Sequence, residues 1–256
     1  MDNTAPIGFF DSGMGGLSVL REARKALPRE DYIYFGDSKN APYGVREPAD
    51  ILALTRAAAQ RLLEEGIKAL VIACNTATGV SLETLRQELP IPVLGIQPAL
   101  EAAQALIQDG AILALATPAT FKTPRYQALY AAHGDHVIDL PAPGLMEFVE
   151  REELSGEGLR DFLAALFAPY LHQKMDVVVL GCTHYPFLKE AIAPFFPKAA
   201  MIDDSPRVCR ELKEILDGKA LLNPGTRQGS VRLLSSGGEE AVKRMERLFY
   251  LSEPRS

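Results

Sequence analysis

Cys74 and Cys182 are the side chains of this sequence best suited to moving protons at a carbon atom. Each ends a short apolar run and precedes two polar residues, in Ala73-Cys74-Asn75-Thr76 and Gly181-Cys182-Thr183-His184. A thiol has a reference pKa of about 8.5 that neighbours can lower, so a thiolate and a thiol can coexist near neutral pH. Inverting a stereocentre needs such a pair, because a single group returns the proton to the face it came from. One isolated cysteine is usually a small buried hydrophobe. Two in matching contexts make a shared chemical role the better explanation. Asp11 and His184 are candidate neighbours: His184 could exchange protons with Cys182 or hold a charged group of a substrate, and Asp11 could do likewise beside Cys74. Cys209 stands three positions before Leu212 and seven before Leu216, a core or helix-flank spacing, and takes no role.

The elements that must position these groups alternate in type. Apolar runs predict strands at Ile7 to Phe10, Tyr32 to Phe35, Ala69 to Ala73, Pro92 to Ile96, Ala111 to Ala116, His136 to Leu140, Asp176 to Leu180 and Val231 to Leu234. Helical spacing predicts helices carrying Leu17, Leu20, Ala23 and Leu27, then Ile51, Leu54, Ala58 and Leu62 up to Gly66. Ser81 is expected to cap a short helix bearing Leu82, Leu85 and Leu89, and further helices are expected at Pro98 to Gln108, at Leu159 to Tyr170 with Pro169 ending or kinking it, and near Val242 to Phe249. Strand and helix alternation of this kind implies parallel α/β sheets.

Equivalent landmarks recur: 63 positions separate Asp11 from Cys74, and 65 separate Thr117 from Cys182. An internal duplication follows, giving two pseudo-symmetric parallel-sheet α/β domains with the active site in the cleft between them. The first is expected to comprise residues 1–97 plus 206–256 and the second 98–205, with Ser205 capping a helix that starts at Pro206.

Composition narrows the function classes. The 256 residues are 47% hydrophobic and 23% charged, ordinary globular usage. A formal net charge of −6 and no Lys/Arg run argue against nucleic acid as a partner. Apolar stretches are too short for a membrane span. Met1-Asp2-Asn3-Thr4 lacks a basic segment followed by an apolar run, so neither a signal peptide nor a lipid anchor is expected and cytoplasmic residence is the default. Three cysteines do not make a disulfide framework. No second ligand pair accompanies Cys182 and His184, so no metal is expected. Gly13-Met14-Gly15-Gly16 is neither a dinucleotide fingerprint nor a P-loop. Lys68 and Lys174 stand before strands, the wrong end for a Schiff base, and are expected to be solvated surface lysines.

In open parallel sheets, ligands bind beyond the carboxyl ends of the strands. Asp11-Ser12-Gly13, Asn75-Thr76, Thr117 with Thr120, and Thr183-His184 all follow strands, so hydroxyls, an amide and backbone N–H groups should converge on a carboxylate-binding cleft.

Four ordered motifs resemble glutamate racemase of the aspartate/glutamate racemase superfamily: Asp11 to Leu17, Gly36 to Gly44 (GDSKNAPYG), Ala73 to Ala77 (ACNTA), and Gly181 to Pro186 (GCTHYP). The resemblance spans most of the chain and implies a cofactor-independent isomerase that interconverts L- and D-glutamate for cell-wall peptidoglycan. By matching motif it implies that Cys74 takes the α-proton of D-glutamate and Cys182 that of L-glutamate, with His184 assisting Cys182. It implies substrate contacts from Asp11, Ser12, Pro42, Tyr43, Gly44, Asn75, Thr76, Thr117, Thr120 and Thr183. Asp37 and Glu150 match acidic residues near the site, although Pro141-Ala142-Pro143 departs from the usual Cys-Pro pair before the latter.

Two other readings compete. A two-cysteine racemase acting on aspartate or a hydantoin would use the same chemistry. A two-domain protein that closes on a small acid without reacting would share the architecture, but the duplicated cysteines count against it. The sequence leaves oligomeric state open, a homodimer included.

Overall fold

The computed structural model describes residues 2–251. Its strands and helices are, in chain order, β1 (Ile7–Asp11), α1 (Leu17–Ala26), β2 (Tyr32–Gly36), α2 (Pro48–Leu63), β3 (Ala69–Ile72), α3 (Asn75–Glu88), β4 (Val93–Gly95), α4 (Leu100–Gln104), β5 (Ala111–Ala116) and α5 (Pro118–Lys122). They continue as α6 (Pro124–His133), β6 (Val137–Pro141), α7 (Leu145–Glu150), α8 (Glu157–Phe167), β7 (Met175–Leu180), α9 (Lys189–Ile192), β8 (Ala200–Ile202), α10 (Ser205–Gly218), β9 (Val231–Ser235) and α11 (Glu239–Tyr250). The first sheet has the order β4-β3-β1-β2-β9 and the second β6-β5-β7-β8, and every strand pair is parallel. These are the two expected parallel-sheet α/β units.

The strands read as unbroken apolar runs because helices cover both faces of a parallel sheet. In β1, Ile7 and Phe9 point into a cluster with Leu17, Leu20, Leu212 and Leu248 of α1, α10 and α11. Phe10 points the other way, onto Ile51, Leu62 and Leu82 of α2 and α3. Each such burial contributes about 1.5–3 kcal/mol. The first cluster continues into Leu113, Leu115, Val178 and Leu180 of the second sheet, so one apolar core holds the two sheets along a shared side. No helix among the described residues is long and apolar enough to cross a membrane.

Several local expectations need correction. Ser81 does not cap a helix: α3 starts at Asn75, directly after Cys74, and Ser81 is buried inside it. The helix expected from Pro98 to Gln108 shrinks to Leu100–Gln104, because Asp176 Oδ2 draws the N–H groups of Gln108 (2.8 Å) and Gly110 (2.7 Å) into a turn before β5. At α10 the cap position falls one residue early, on Asp204, with Ser205 already helical. Pro169 does end α8, in a 3-10 turn over Ala168–Tyr170. Lys68 is no surface residue: it is 1% exposed, and its ammonium donates to Glu30 and, at 2.6 Å, to the Asn3 carbonyl. Lys174, with a side chain 53% exposed, is solvated as expected.

Candidate active site

The two cysteines lie beyond the carboxyl ends of the inner strands β3 and β7, on opposite sheets, and line one buried cavity of about 20 Å³. That volume holds about one water molecule.

Cys74 occupies the cap position of α3, where its Sγ accepts the Ala77 N–H at 3.5 Å. Ser12 Oγ, delivered by the loop after β1, is 3.6 Å from the same sulfur. Burial, then the charge of Asp11, push the Cys74 thiol up to about 12. Asp11 is therefore a neighbour that favours the protonated thiol, since like charges disfavour each other in a buried site.

Asp11 itself is fully buried, accepting the Gly13 N–H at 2.6 Å and the Thr183 hydroxyl at 3.0 Å. Burial raises its carboxyl to about 6 against the pull of His184 and these hydrogen bonds.

Cys182 has a different partner. Its Sγ is 3.6 Å from His184 Nδ1, and His184 Nε2 is 2.8 Å from Glu150 Oε1. Glu150 also accepts the Met14 N–H at 2.8 Å, so the loop after β1, the end of α7 and the turn after β7 meet at one carboxylate. Burial works against a charged imidazole, but the hydrogen bonds to Cys182 and Glu150 outweigh it and hold His184 well above its ordinary pKa. Burial likewise opposes ionisation of Glu150, and His184 and the Met14 N–H overcome it, placing that carboxyl below its usual range.

The remaining wall is rich in hydroxyls. Thr76, Thr117 and Thr120 hydrogen-bond one another, at 3.1 Å between Thr76 and Thr117 and 2.9 Å between Thr117 and Thr120. Asn75 also lines the cavity, and its side-chain oxygen has no hydrogen-bond partner among the described residues. A buried acceptor without a partner is costly unless a ligand's N–H meets it. Tyr43 is held by donating its hydroxyl to Asp37 Oδ2 at 2.7 Å, and Asn40 donates to the same carboxylate at 3.0 Å.

The structure thus brings Ser12, Tyr43, Gly44, Cys74, Asn75, Thr76, Thr117, Thr120, Cys182, Thr183 and His184 around one cavity. Asp11 stands behind this wall and reaches it through Thr183, Asp37 through Tyr43, and Glu150 through His184. Pro42, which leads into the turn Tyr43–Val45, does not line the cavity. Sequence reasoning missed Met146, which does, and Ser18, whose hydroxyl donates to the Thr183 carbonyl at 2.9 Å. Met146 is an apolar residue on a short helix and gives no local signal of a cavity wall, and Ser18 gives none of a bond to a carbonyl 165 positions away.

Fold and site together define a class: a two-sheet α/β protein in which each sheet delivers one thiol to a shared, buried cavity. The chain belongs to the Asp/Glu/Hydantoin racemase family, whose model matches residues 15–205. It is 44% identical to a glutamate racemase of Clostridium botulinum over 93% of each chain. The glutamate racemase of Francisella tularensis, solved in complex with D-glutamate, superposes with a TM-score of 0.83 at 28% identity, over 99% of this chain and 96% of that one. The Escherichia coli glutamate racemase, solved with L-glutamate and the activator UDP-MurNAc-ala, gives 0.84 at 30% identity, over 95% of each chain.

Proposed function

We propose that this protein is a cofactor-independent glutamate racemase in which Cys182 takes the α-proton of L-glutamate and Cys74 that of D-glutamate. The observation that carries this reading is the pair of thiols reaching one buried cavity from opposite sheets. Glutamate, rather than aspartate or a hydantoin, is supported by the 44% identical relative and by the D- and L-glutamate complexes of the neighbours.

The geometry supports an order of events starting from L-glutamate. His184 accepts the Cys182 proton to leave a thiolate beside an imidazolium that Glu150 stabilises, while Cys74 stays protonated. The Cys182 thiolate takes the α-proton from one face, and the Cys74 thiol gives its proton to the other. The product leaves with Cys182 protonated and Cys74 as thiolate, the state that accepts D-glutamate, and proton exchange with solvent resets the pair. The substrate ammonium satisfies Asn75 Oδ1, and the threonine hydroxyls turn from one another to a carboxylate. Asp11 holds Thr183, and Asp37 holds Tyr43. We assign residues 1–97 with 206–256 to the Cys74 domain and 98–205 to the Cys182 domain, and place the product in the cytoplasm as D-glutamate for peptidoglycan.

The test is incubation with L-glutamate in deuterated water, following optical rotation and α-deuterium. Wild type inverts with deuterium in the product. Cys74→Ala exchanges the α-proton of L-glutamate without inversion, and Cys182→Ala does so only with D-glutamate. A wild-type protein that leaves the rotation unchanged, or single variants that still invert, sinks the reading.

A further inference from the structure

The thiol cavity, at about 20 Å³, is too small for any amino acid, so a substrate needs a route in and a place to wait. A cavity of about 610 Å³ lies immediately outside, and Gly44 and Thr76 line both. The partition between them is thin. A Cβ built on Gly44 would be 3.3 Å from Thr117 Cβ, so the two sides of the wall approach closely there, and Thr76 is bonded across it to the hydroxyls of Thr117 at 3.1 Å and Thr120 at 3.4 Å. A second large cavity, of about 370 Å³ between α3 and α6, shares no residue with the thiol cavity.

The outer cavity has a distinct chemistry. Its floor is apolar, with Ile51, Val80 and Pro118. Its rim carries Arg46 and Lys122 against the single acid Glu47, a net positive mouth on a chain of net charge −6. Among the described residues, the Arg46 guanidinium donates only to the Asn40 carbonyl, at 2.8 Å, and neither it nor Lys122 is in an ion pair. Val45, 83% exposed, stands on the same rim.

We propose that this outer cavity is the entry vestibule and first docking site for the dicarboxylate, with Arg46 and Lys122 drawing its carboxylates in before the Gly44–Thr117 partition opens. The proposal rests on glutamate being the substrate. Positive charge at a cleft mouth raises the local concentration of an anion, and the effect falls with ionic strength. A unit charge at such a rim shifts occupancy by about three-fold at low salt.

The experiment measures kcat and KM for both enantiomers from low to high ionic strength in wild type, Arg46→Gln, Lys122→Gln, the double variant and Arg46→Lys. The double variant is expected to lose about ten-fold in kcat/KM at low salt, to keep kcat within about two-fold, and to lose most of the salt dependence. Arg46→Lys, which keeps the charge but not the guanidinium, should stay near wild type. Calorimetric binding of glutamate to the Cys74→Ala/Cys182→Ala protein carrying the same substitutions should show the same salt-dependent losses with no turnover needed. Unchanged kcat/KM and salt dependence in the double variant overturn the vestibule, as does a loss confined to kcat or an Arg46→Lys variant as impaired as Arg46→Gln. Failure of the racemase reading looks different: wild type binds glutamate without inverting it.

Discussion

At the scale of single residues, the two thiols are related by position and unlike in surroundings. Of the two thiols His184 touches only Cys182, so its loss should act on one half of the reaction. In a Cys74→Ala background, adding His184→Asn is expected to slow α-proton exchange of L-glutamate by about 10²-fold or more. In a Cys182→Ala background the same change should leave exchange of D-glutamate within a few-fold, as read by deuterium incorporation. Asp11 gives a pH signature. Its carboxyl titrates near 6 when folded, against 3.8 as a reference. Because the folded value is raised, its favourable contribution is present below about 4 and is lost as pH rises through about 6, a swing of about 3 kcal/mol. Asp11→Asn should therefore gain stability relative to wild type between pH 4 and pH 7, measured as the difference in urea midpoints. Both cysteines and most of the polar wall were legible in the sequence, because each follows an apolar run at a strand end. The bond from Glu150 to His184 was not, since it joins groups 34 positions apart with no local pattern between them.

At the scale of elements, the turn before α1 is shaped to let the second unit approach. A Cβ on Gly15 would fall 2.6 Å from Thr183 Oγ1 and closer still to His184 Nδ1. Gly15→Ala should thus push His184 from Cys182 and lower kcat at least about ten-fold, at a stability cost of about 1–3 kcal/mol, which paired kinetic and thermal measurements separate. In α3, the buried Ser81 hydroxyl has no hydrogen-bond partner among the described residues. Ser81→Ala removes that penalty and adds helix propensity, so Tm should rise by about 2–4 °C for a gain near 1 kcal/mol. The sequence carries signals for α5 and α6: Thr117-Pro118 and Thr123-Pro124 each place a capping hydroxyl before a proline in the first turn. Strand β8, three residues long, is too short to show a period. Serine is a usual cap and a thiol is not, so local pattern favours Ser81, yet the sulfur of Cys74 fills that place.

At the scale of the whole molecule, the strand and helix alternation and the two parallel sheets were readable because parallel strands covered on both faces must be apolar throughout. What local pattern could not reveal is how distant segments are tied. The buried pair of Lys68 and Glu30 joins the start of β3 to the loop before β2, to the Asn3 carbonyl, and to the N–H of Asn223, which Glu30 accepts at 2.8 Å. Lys68→Met should cost about 3–5 kcal/mol in urea unfolding by leaving a buried carboxylate without its partner, and adding Glu30→Gln should recover part of that loss. The same long-range stitching has a temporal side. Strand β9 completes the first sheet by pairing Val231 with Tyr32, 199 positions earlier. At 5–20 residues per second, a ribosome needs roughly 10–40 s to cover that interval. Throughout it the outer edge of β2 offers unpaired backbone groups that other strands could template on. The strands of the second sheet are all made in that interval, so the half bearing Cys182 can mature while the half bearing Cys74 still waits for its last neighbour.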